Sequence, residues 1–126
     1  GISAGIMFYP DSGLLAISTE TDNEYVEPLI QEVYHEIDRL HQEPVSAEEL
    51  TIVRNYMLGE MCRSYESPFS LSDAWIFIAT SGLDDDYFSR SLLAVNEVTP
   101  MEIQDLAQRY LCKETLKEVI AGKKLS

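Results

Sequence analysis

Two kinds of hydrophobic pattern divide the chain, a strand pattern near its start and a helical pattern after it. Residues 2–9 and 14–21 are rich in β-forming side chains and flank Pro10-Asp11-Ser12-Gly13, which predicts a β-hairpin with Gly13 at positive φ where the turn ends. Residues 26–40 carry apolar side chains at the spacing of one helical face. We expect this helix to lie on the sheet with its charged side in water.

Two later helices begin with nearly the same signature. Ser46 is followed three residues later by Glu49, and Thr99 by Glu102, which is the pattern of a capping box in which a hydroxyl and a carboxylate satisfy exposed backbone N–H groups. These signatures predict helices over residues 47–64 and 100–111. In the first of them, four apolar residues form a stripe that we expect to face the core: Leu50, Val53, Met57 and Met61.

Two more helices and a strand complete the predicted order. Ser67-Pro68 is a start signal and Ser81-Gly82 a stop signal, and together they frame a helix that is apolar nearly all round. The aspartates at residues 84–86 precede a further helix and are expected to cap it. Residues 117–121 are typical of a short returning strand. The sequence therefore predicts an α+β fold, in which an antiparallel or mixed sheet, made of the N-terminal hairpin and the C-terminal strand, packs against about five helices in a single domain over residues 1–126.

Charge and composition narrow the classes of partner. The chain has 22 acidic and 9 basic residues and a formal net charge of −13, which repels nucleic acid and anionic lipid. Its longest uninterrupted apolar run, residues 74–79, is far shorter than the ~20 residues of a membrane-spanning helix. Cys62 and Cys112 are spaced too widely for a disulfide framework or a zinc clip, so we interpret them as buried thiols in a reducing, cytoplasmic compartment. Neither nucleic acid nor a membrane is expected as a partner.

The two histidines do not form a zinc site by their spacing. His35-Glu36 followed by His41 superficially resembles a zinc-binding helix, but two histidine ligands on one helix lie four residues apart, whereas these are six apart. We interpret both as surface histidines, with His41 beside Asp38.

Other reactive side chains also lack a catalytic pattern. The aspartates at residues 84–86 do not have the ligand spacing of a calcium loop. Four serines between residues 64 and 72 have no base partner and mark helix boundaries. We interpret Trp75-Ile76-Phe77 as part of the core rather than as a ligand platform. The sequence therefore assigns no catalytic, cofactor-binding or metal-binding residue to this chain.

The order and spacing of the segments resemble the later part of a pitrilysin/insulinase-like zinc metallopeptidase domain. After a hairpin and a long helix, the segments that carry the resemblance are Pro44-Val45-Ser46 with Glu49-Leu50, Val53-Arg54, Glu66-Ser67, Asp86-Tyr87, Val98-Thr99 with Glu102-Ile103, Leu106-Ala107, Tyr110-Leu111 and Val119-Ile120 with Gly122. They cover nearly the whole chain, and their joint order is more specific than any single piece.

The resemblance implies a non-catalytic role for this chain. Members of the family are built from homologous α+β domains around a peptide-holding chamber, and zinc is held in another domain by His-x-x-Glu-His and a distant Glu. That motif does not occur in this sequence. The resemblance thus implies an incomplete, non-catalytic C-terminal-type domain in the chamber wall, with no cofactor of its own. Its partners would be an unfolded peptide and the homologous, zinc-holding catalytic domain of the same protein. A start at Gly1, without Met, is typical of a piece of a longer protein.

Two other classes of function stay open. The parent protein could be a non-enzymatic family member that binds peptides or serves as a structural subunit, and an intact His-x-x-Glu-His upstream would distinguish the protease from it. The chain could also be an unrelated α+β interaction module, which a fold without the hairpin packed on the helix of residues 26–40 would favour. Because residues 2–9 contain no Lys, Arg or Pro, we also expect a homodimer through this sheet edge.

Overall fold

A hairpin followed by five helices makes up the described part of the protein. The computed structural model describes residues 1–9 and 11–122. Its elements are, in chain order, β1 (Ile2–Tyr9), β2 (Ser12–Thr19), α1 (Val26–Gln42), α2 (Ala47–Arg63), α3 (Pro68–Ser81), α4 (Tyr87–Glu97) and α5 (Pro100–Tyr110). Short 3-10 helices lie at Asn23–Tyr25 and Lys113–Thr115. The α+β class is therefore confirmed, and the five predicted helices are present.

The hairpin has a tighter turn than the sequence predicts. β2 already begins at Ser12, so Gly13 lies within the strand and does not have the positive φ expected of a turn exit. Pro10, the first residue of the predicted turn, lies outside the described residues. At the open end of the hairpin, the Thr19 hydroxyl donates a hydrogen bond to the Gly1 carbonyl at 3.2 Å. The paired region is thus longer, and the turn shorter, than the local composition suggests.

The predicted C-terminal strand is wrong. Residues 117–121 do not form a strand, and among the described residues the sheet contains β1 and β2 alone. A strand needs the edge of a neighbouring strand as its hydrogen-bond partner, and β-forming side chains do not replace that edge. A side-chain contact holds this segment to α1 instead, because the Tyr34 hydroxyl donates to the Glu118 carboxylate at 2.7 Å, and just before the segment Lys113 forms an ion pair with Asp38.

The chain forms two compact units. The first unit comprises residues 1–5, 15–45 and 100–126, and the second comprises residues 6–14 and 46–99. Each unit contains one pair of packed helices, α1 with α5 in the first and α2 with α4 in the second. That residues 1–126 form a single domain stays a prediction.

In the first unit, the main partner of α1 is α5 rather than the sheet that the sequence predicts. Ile37 of α1 and Ala107 of α5 are buried. The His41 Nε2 atom lies 3.0 Å from the Ala107 carbonyl oxygen, and the Gln108 side chain donates to the His41 carbonyl at 2.8 Å. All eight residues of β1 are exposed and only Leu15 and Ala16 of β2 are half-buried, so the hairpin adds little to this core.

In the second unit, the inward side of α2 differs in part from the one predicted. Leu50 is buried and Met61 is half-buried as expected, but Val53 and Met57 are exposed. Arg54 and Leu58 are half-buried and continue the inward side. The cause is α4, because the Arg54 guanidinium donates hydrogen bonds to two backbone carbonyls at the C-terminal end of that helix. A long polar side chain therefore takes an inward position that an apolar pattern does not reveal.

Local capping fixes the helix ends that the sequence marks. The Ser46 hydroxyl accepts a hydrogen bond from the Glu49 N–H at 3.1 Å at the start of α2. Ser67 and Ser70 form a complete capping box at the start of α3, which extends the start signal found in the sequence. Gly82 ends α3 at φ 64°, a left-handed conformation that glycine adopts without strain. The boundaries of α2 and α3 therefore follow from neighbouring residues alone.

Candidate functional site

Six aromatic rings of the second unit stand in a continuous row, which we call the aromatic row. It consists of Phe8, Tyr65, Trp75, Phe77, Tyr87 and Phe88. Ring centroids lie 6.4 Å apart for Phe8 and Phe77, and 5.9 Å apart for Phe77 and Tyr87. Tyr87 and Phe88 are 5.8 Å apart, and Phe88 then contacts Tyr65 at 4.8 Å and Trp75 at 6.5 Å. The rings meet in tilted or edge-to-face pairs, the arrangement that aromatic side chains prefer.

Separate elements of the second unit supply the row. Phe8 lies near the end of β1, Tyr65 lies between α2 and α3, and α4 opens with Tyr87 and Phe88. Trp75 and Phe77 come from the middle of α3. Because the capping box and Gly82 fix both ends of α3, the positions of its two rings along the helix are set by the sequence itself.

Part of the row is open to solvent. Phe8 is 60 % exposed and Trp75 is 46 % exposed, whereas the other four rings are half-buried. The prediction that Trp75 and Ile76 belong to the core is therefore wrong. The helices that pack against each other in this unit are α2 and α4, which leaves one side of α3 uncovered in the part of the chain that the structure describes. Exposed aromatic surface of this kind marks interaction sites more often than a scattered apolar side chain does.

Carboxylates stand beside the rings at the start of α4. Asp84, Asp85 and Asp86 are exposed and directly precede Tyr87. The Arg90 side chain, one turn further on, lies 3.1 Å from the Asp86 carboxylate and 3.9 Å from that of Asp84. The side-chain cap predicted here is wrong, because Asp86 occupies the N-cap position of α4 without a side-chain cap hydrogen bond. With Leu83, the three aspartates line a shallow, open depression.

The pKa of Tyr65 depends on its surroundings in the row. Burial raises the pKa of Tyr65 above its ordinary value, and the neighbouring Tyr87 adds to the effect. Tyr65 is uncharged at neutral pH, as a tyrosine of ordinary pKa also is, and the raised pKa keeps it uncharged in more alkaline solution. It contributes an aromatic face and a hydroxyl rather than a negative charge.

The histidines lie in different surroundings. His35 is exposed, and its potential ligand atom lies within 4.8 Å of those of Glu32 and Glu36. Glu36 is already engaged by Arg39 through two contacts of 2.8 and 2.9 Å. His41 was expected on the surface beside Asp38, but it is half-buried and its ring contacts the Ala107 carbonyl. The structure thus does not bring the two histidines together.

The serines and cysteines show no catalytic arrangement among the described residues. Ser64 is the C-cap of α2, and Ser67 and Ser70 form the capping box of α3, so the interpretation as helix-boundary residues is confirmed for these three, whereas Ser72 lies inside α3. Cys62 is exposed, and the prediction that it is buried is wrong. Cys112 is half-buried, with its sulfur 3.8 Å from the Gln108 carbonyl oxygen. Both cysteines are free thiols.

The aromatic row is the feature that sequence reasoning missed. Its members come from four separate places in the chain, namely β1, the segment between α2 and α3, α3 and the start of α4, so no single helical or strand period connects them. The one local signal is Tyr87-Phe88 directly after three aspartates, which combines aromatic and acidic residues at a helix start.

A family model describes the first part of the chain. Residues 1–57, which cover the hairpin, α1 and α2 as far as Met57, match the Peptidase M16 inactive domain. The match confirms, over these residues, the resemblance to the non-catalytic C-terminal-type domain of pitrilysin/insulinase-like peptidases. No curated protein and no solved structure matches the chain.

Among the described residues, none of the helices combines the length with the apolar character that a bilayer span requires.

Proposed function

We propose that this chain is part of the non-catalytic domain of a zinc metalloendopeptidase and forms part of the wall of a peptide-binding chamber. The observation that carries the proposal is the match of residues 1–57 to an inactive peptidase domain. In this proposal, zinc and the hydrolytic chemistry belong to a homologous catalytic domain of the same protein. The chain itself contributes surface and charge, and it contacts the unfolded peptide.

The residues of the chain do not fit a catalytic zinc ion. A catalytic zinc site needs three protein ligands that converge on one point, usually including two or more histidines. His35 is exposed on one side of α1, and the ring of His41 is engaged with the Ala107 carbonyl of α5. We therefore derive no catalytic step from this chain, which agrees with the description of the matching family as an inactive domain.

A second candidate is a peptide-binding or structural subunit without proteolytic activity. This candidate contains the same inactive domain as the first proposal. The two differ only in whether the rest of the parent protein contains a zinc-holding catalytic domain. The third class, an unrelated α+β interaction module, is favoured by the exposed side chains of β1, which do not pack on α1 as the sequence predicts. The family match over the same residues supports the peptidase-related proposals instead.

Two further expectations complete the proposal. The free thiols of Cys62 and Cys112 are consistent with a reducing compartment, and we propose the cytoplasm. The acidic surface, with a net charge of −13, supports attraction of basic peptides into the chamber.

The proposal is tested with the parent protein and with this chain. The gene upstream of Gly1 is read for a His-x-x-Glu-His motif, and the parent protein is assayed on an unfolded fluorogenic peptide with and without a zinc chelator. We expect chelator-sensitive hydrolysis by the parent protein, and peptide binding without cleavage by this chain alone. If the motif is absent and the chain still binds peptide, the result supports the alternative of a peptide-binding or structural subunit. Hydrolysis by this chain alone would contradict both.

A further inference from the structure

The aromatic row offers ring faces that carry partial negative charge. Aromatic π-systems attract a cation placed over the ring, and tryptophan does so most strongly. Trp75 and Phe8, which are the exposed members of the row, are therefore acceptors for an ammonium or guanidinium group. Their exposure means that such a group can reach them without unfolding any element.

The chain already pairs one of its own cations with the aspartates that precede the row's Tyr87. The Arg90 guanidinium lies beside the carboxylates of Asp86 and Asp84, next to the turn that carries Tyr87. This contact shows that the carboxylates are oriented to receive a guanidinium. Arg90 is itself largely exposed, so an incoming cation can share or displace this contact.

The charge of the chain selects among possible occupants. A second copy carries the same net charge of −13, which opposes its docking against the aspartates of this surface, whereas a peptide rich in Lys or Arg is attracted. The apolar rings additionally favour a partner with apolar side chains between its charges. An unfolded basic peptide has both properties.

We propose that the aromatic row, together with the aspartates at residues 84–86, binds the Lys and Arg side chains of an unfolded basic peptide. This assignment rests on the peptide-binding role proposed above and names the substrate class and the surface. The ring faces hold the cations, the carboxylates complement their charge, and the apolar residues of the peptide lie against the exposed edges of the rings.

Binding is measured with a short fluorescent peptide in which Arg alternates with Val, and with the same peptide carrying citrulline in place of Arg. Citrulline keeps the size and planarity of the side chain but has no charge. We expect anisotropy to show binding of the Arg peptide, weakened by added salt, and much weaker binding of the citrulline peptide. Trp75 is the single tryptophan of the chain, so its emission reports directly whether the peptide reaches the row.

Aromatic variants locate the site. Phe8→Leu and Trp75→Leu keep an apolar side chain and remove the π face, and each is expected to weaken binding about two- to fivefold. Phe69→Leu is the matched control, because Phe69 is an exposed ring of α3, 84 % open to solvent, that is not one of the six rings of the row. Circular dichroism on each variant verifies that the helices are retained.

Charge variants test the carboxylates. Asp85→Asn is expected to weaken binding of the Arg peptide, whereas Asp22→Asn, which removes the same charge outside the second unit, is expected to change it little. Arg90→Gln is expected to tighten binding, because it removes the internal cation that competes for Asp84 and Asp86. Equal effects of Asp85→Asn and Asp22→Asn would mean that only net charge matters and would overturn the assignment.

The remaining outcomes separate this inference from the function on which it rests. If the Arg and citrulline peptides bind equally, or if Phe69→Leu weakens binding as much as Trp75→Leu, peptide binding stands and the aromatic row is not its site. If the Trp75 emission changes only as copies of the chain associate, as light scattering would show, the occupant is a second copy and the inference fails. If no peptide binds at all, the proposed peptide-binding role fails as well.

Discussion

The guanidinium of Arg54 donates a 2.6 Å hydrogen bond to the backbone carbonyl of Val98. Its Nε atom also donates to the Val95 carbonyl at 3.1 Å. The last carbonyls of a helix have no partner within the helix, and a cation near them is favoured by the helix dipole. Arg54 of α2 therefore closes the C-terminal end of α4 and joins the two packed helices of the second unit.

We expect Arg54→Met to destabilise the chain by about 1–3 kcal/mol, because it leaves both carbonyls without a donor in a half-buried position. Arg63→Met is the control, since Arg63 on the same helix is exposed and pairs only with nearby Glu60, an arrangement that contributes at most about 1 kcal/mol. Urea unfolding followed by circular dichroism measures both. Equal losses would contradict a special role for Arg54.

The N-cap serines are expected to contribute measurably to stability. Ser46→Ala and Ser67→Ala should each cost about 1 kcal/mol, because each hydroxyl satisfies a backbone N–H at a helix start. Ser64→Ala should cost less, since the Ser64 hydroxyl donates to the Glu60 carbonyl at the end of α2. Denaturant titration of the three variants gives the comparison, and three equally small effects would argue against the caps.

The contact between Tyr34 and Glu118 predicts a pH dependence. The hydrogen bond to the Glu118 carboxylate, assisted by desolvation and by the charge of Glu118, raises the pKa of Tyr34 above its ordinary value of 10.0. The stabilisation is therefore fully present below pH 10.0 and is lost as the pH rises through the raised pKa. Spectroscopic titration of tyrosinate should show a late-titrating group that disappears in Tyr34→Phe and shifts to lower pH in Glu118→Gln. An unchanged titration in both variants would contradict this contact.

The unpaired edge of β1 leads us to propose a homodimer. Among the described residues β1 pairs only with β2, and the exposed backbone groups of its other edge can pair with a second copy. Light scattering should show a dimer that Ile6→Lys dissociates by placing a charge on the strand. Ile52→Lys makes the same change at an exposed position of α2 and should leave the dimer intact. A monomer at high concentration would refute edge pairing.

The chain alone is expected to retain no zinc after dialysis and to hydrolyse no peptide. Tight zinc sites need three or four convergent ligands, and the exposed group of Glu32, His35 and Glu36 includes one carboxylate already paired with Arg39. Metal analysis and a peptidase assay measure both properties. Stoichiometric zinc that is lost on His35→Ala would show that this group holds a metal after all.

Helix boundaries could be predicted because their causes are local. Ser67 and Gly82 lie directly at the ends of α3, and each acts through its own backbone or through residues within one turn. The inward side of α2 could not be predicted in this way. It depends on the distant carbonyls of α4, which draw Arg54 inward and leave Val53 exposed.

The same distinction explains the other differences between sequence and structure. Val119 and Ile120 have high β-propensity, but propensity alone does not form a strand, and the hydrogen bond between Tyr34 and Glu118 holds this segment at α1 instead of at a sheet edge. The aspartate expected to cap α4 turns to Arg90, a competing partner that a capping rule does not consider. The aromatic row needs the hairpin, α3 and α4 to be folded before its rings meet, so no sequence window contains it.

The hairpin is almost without charge, since Asp11 is the only charged side chain in residues 1–19. The electrostatic repulsion between copies of the chain therefore originates in the later residues, which carry all the acidic side chains except Asp11. Acidification would weaken this repulsion. The exposed apolar strands of different copies could then associate, and precipitation should begin at the hairpin. Solubility and association are thus controlled by different stretches of one sequence.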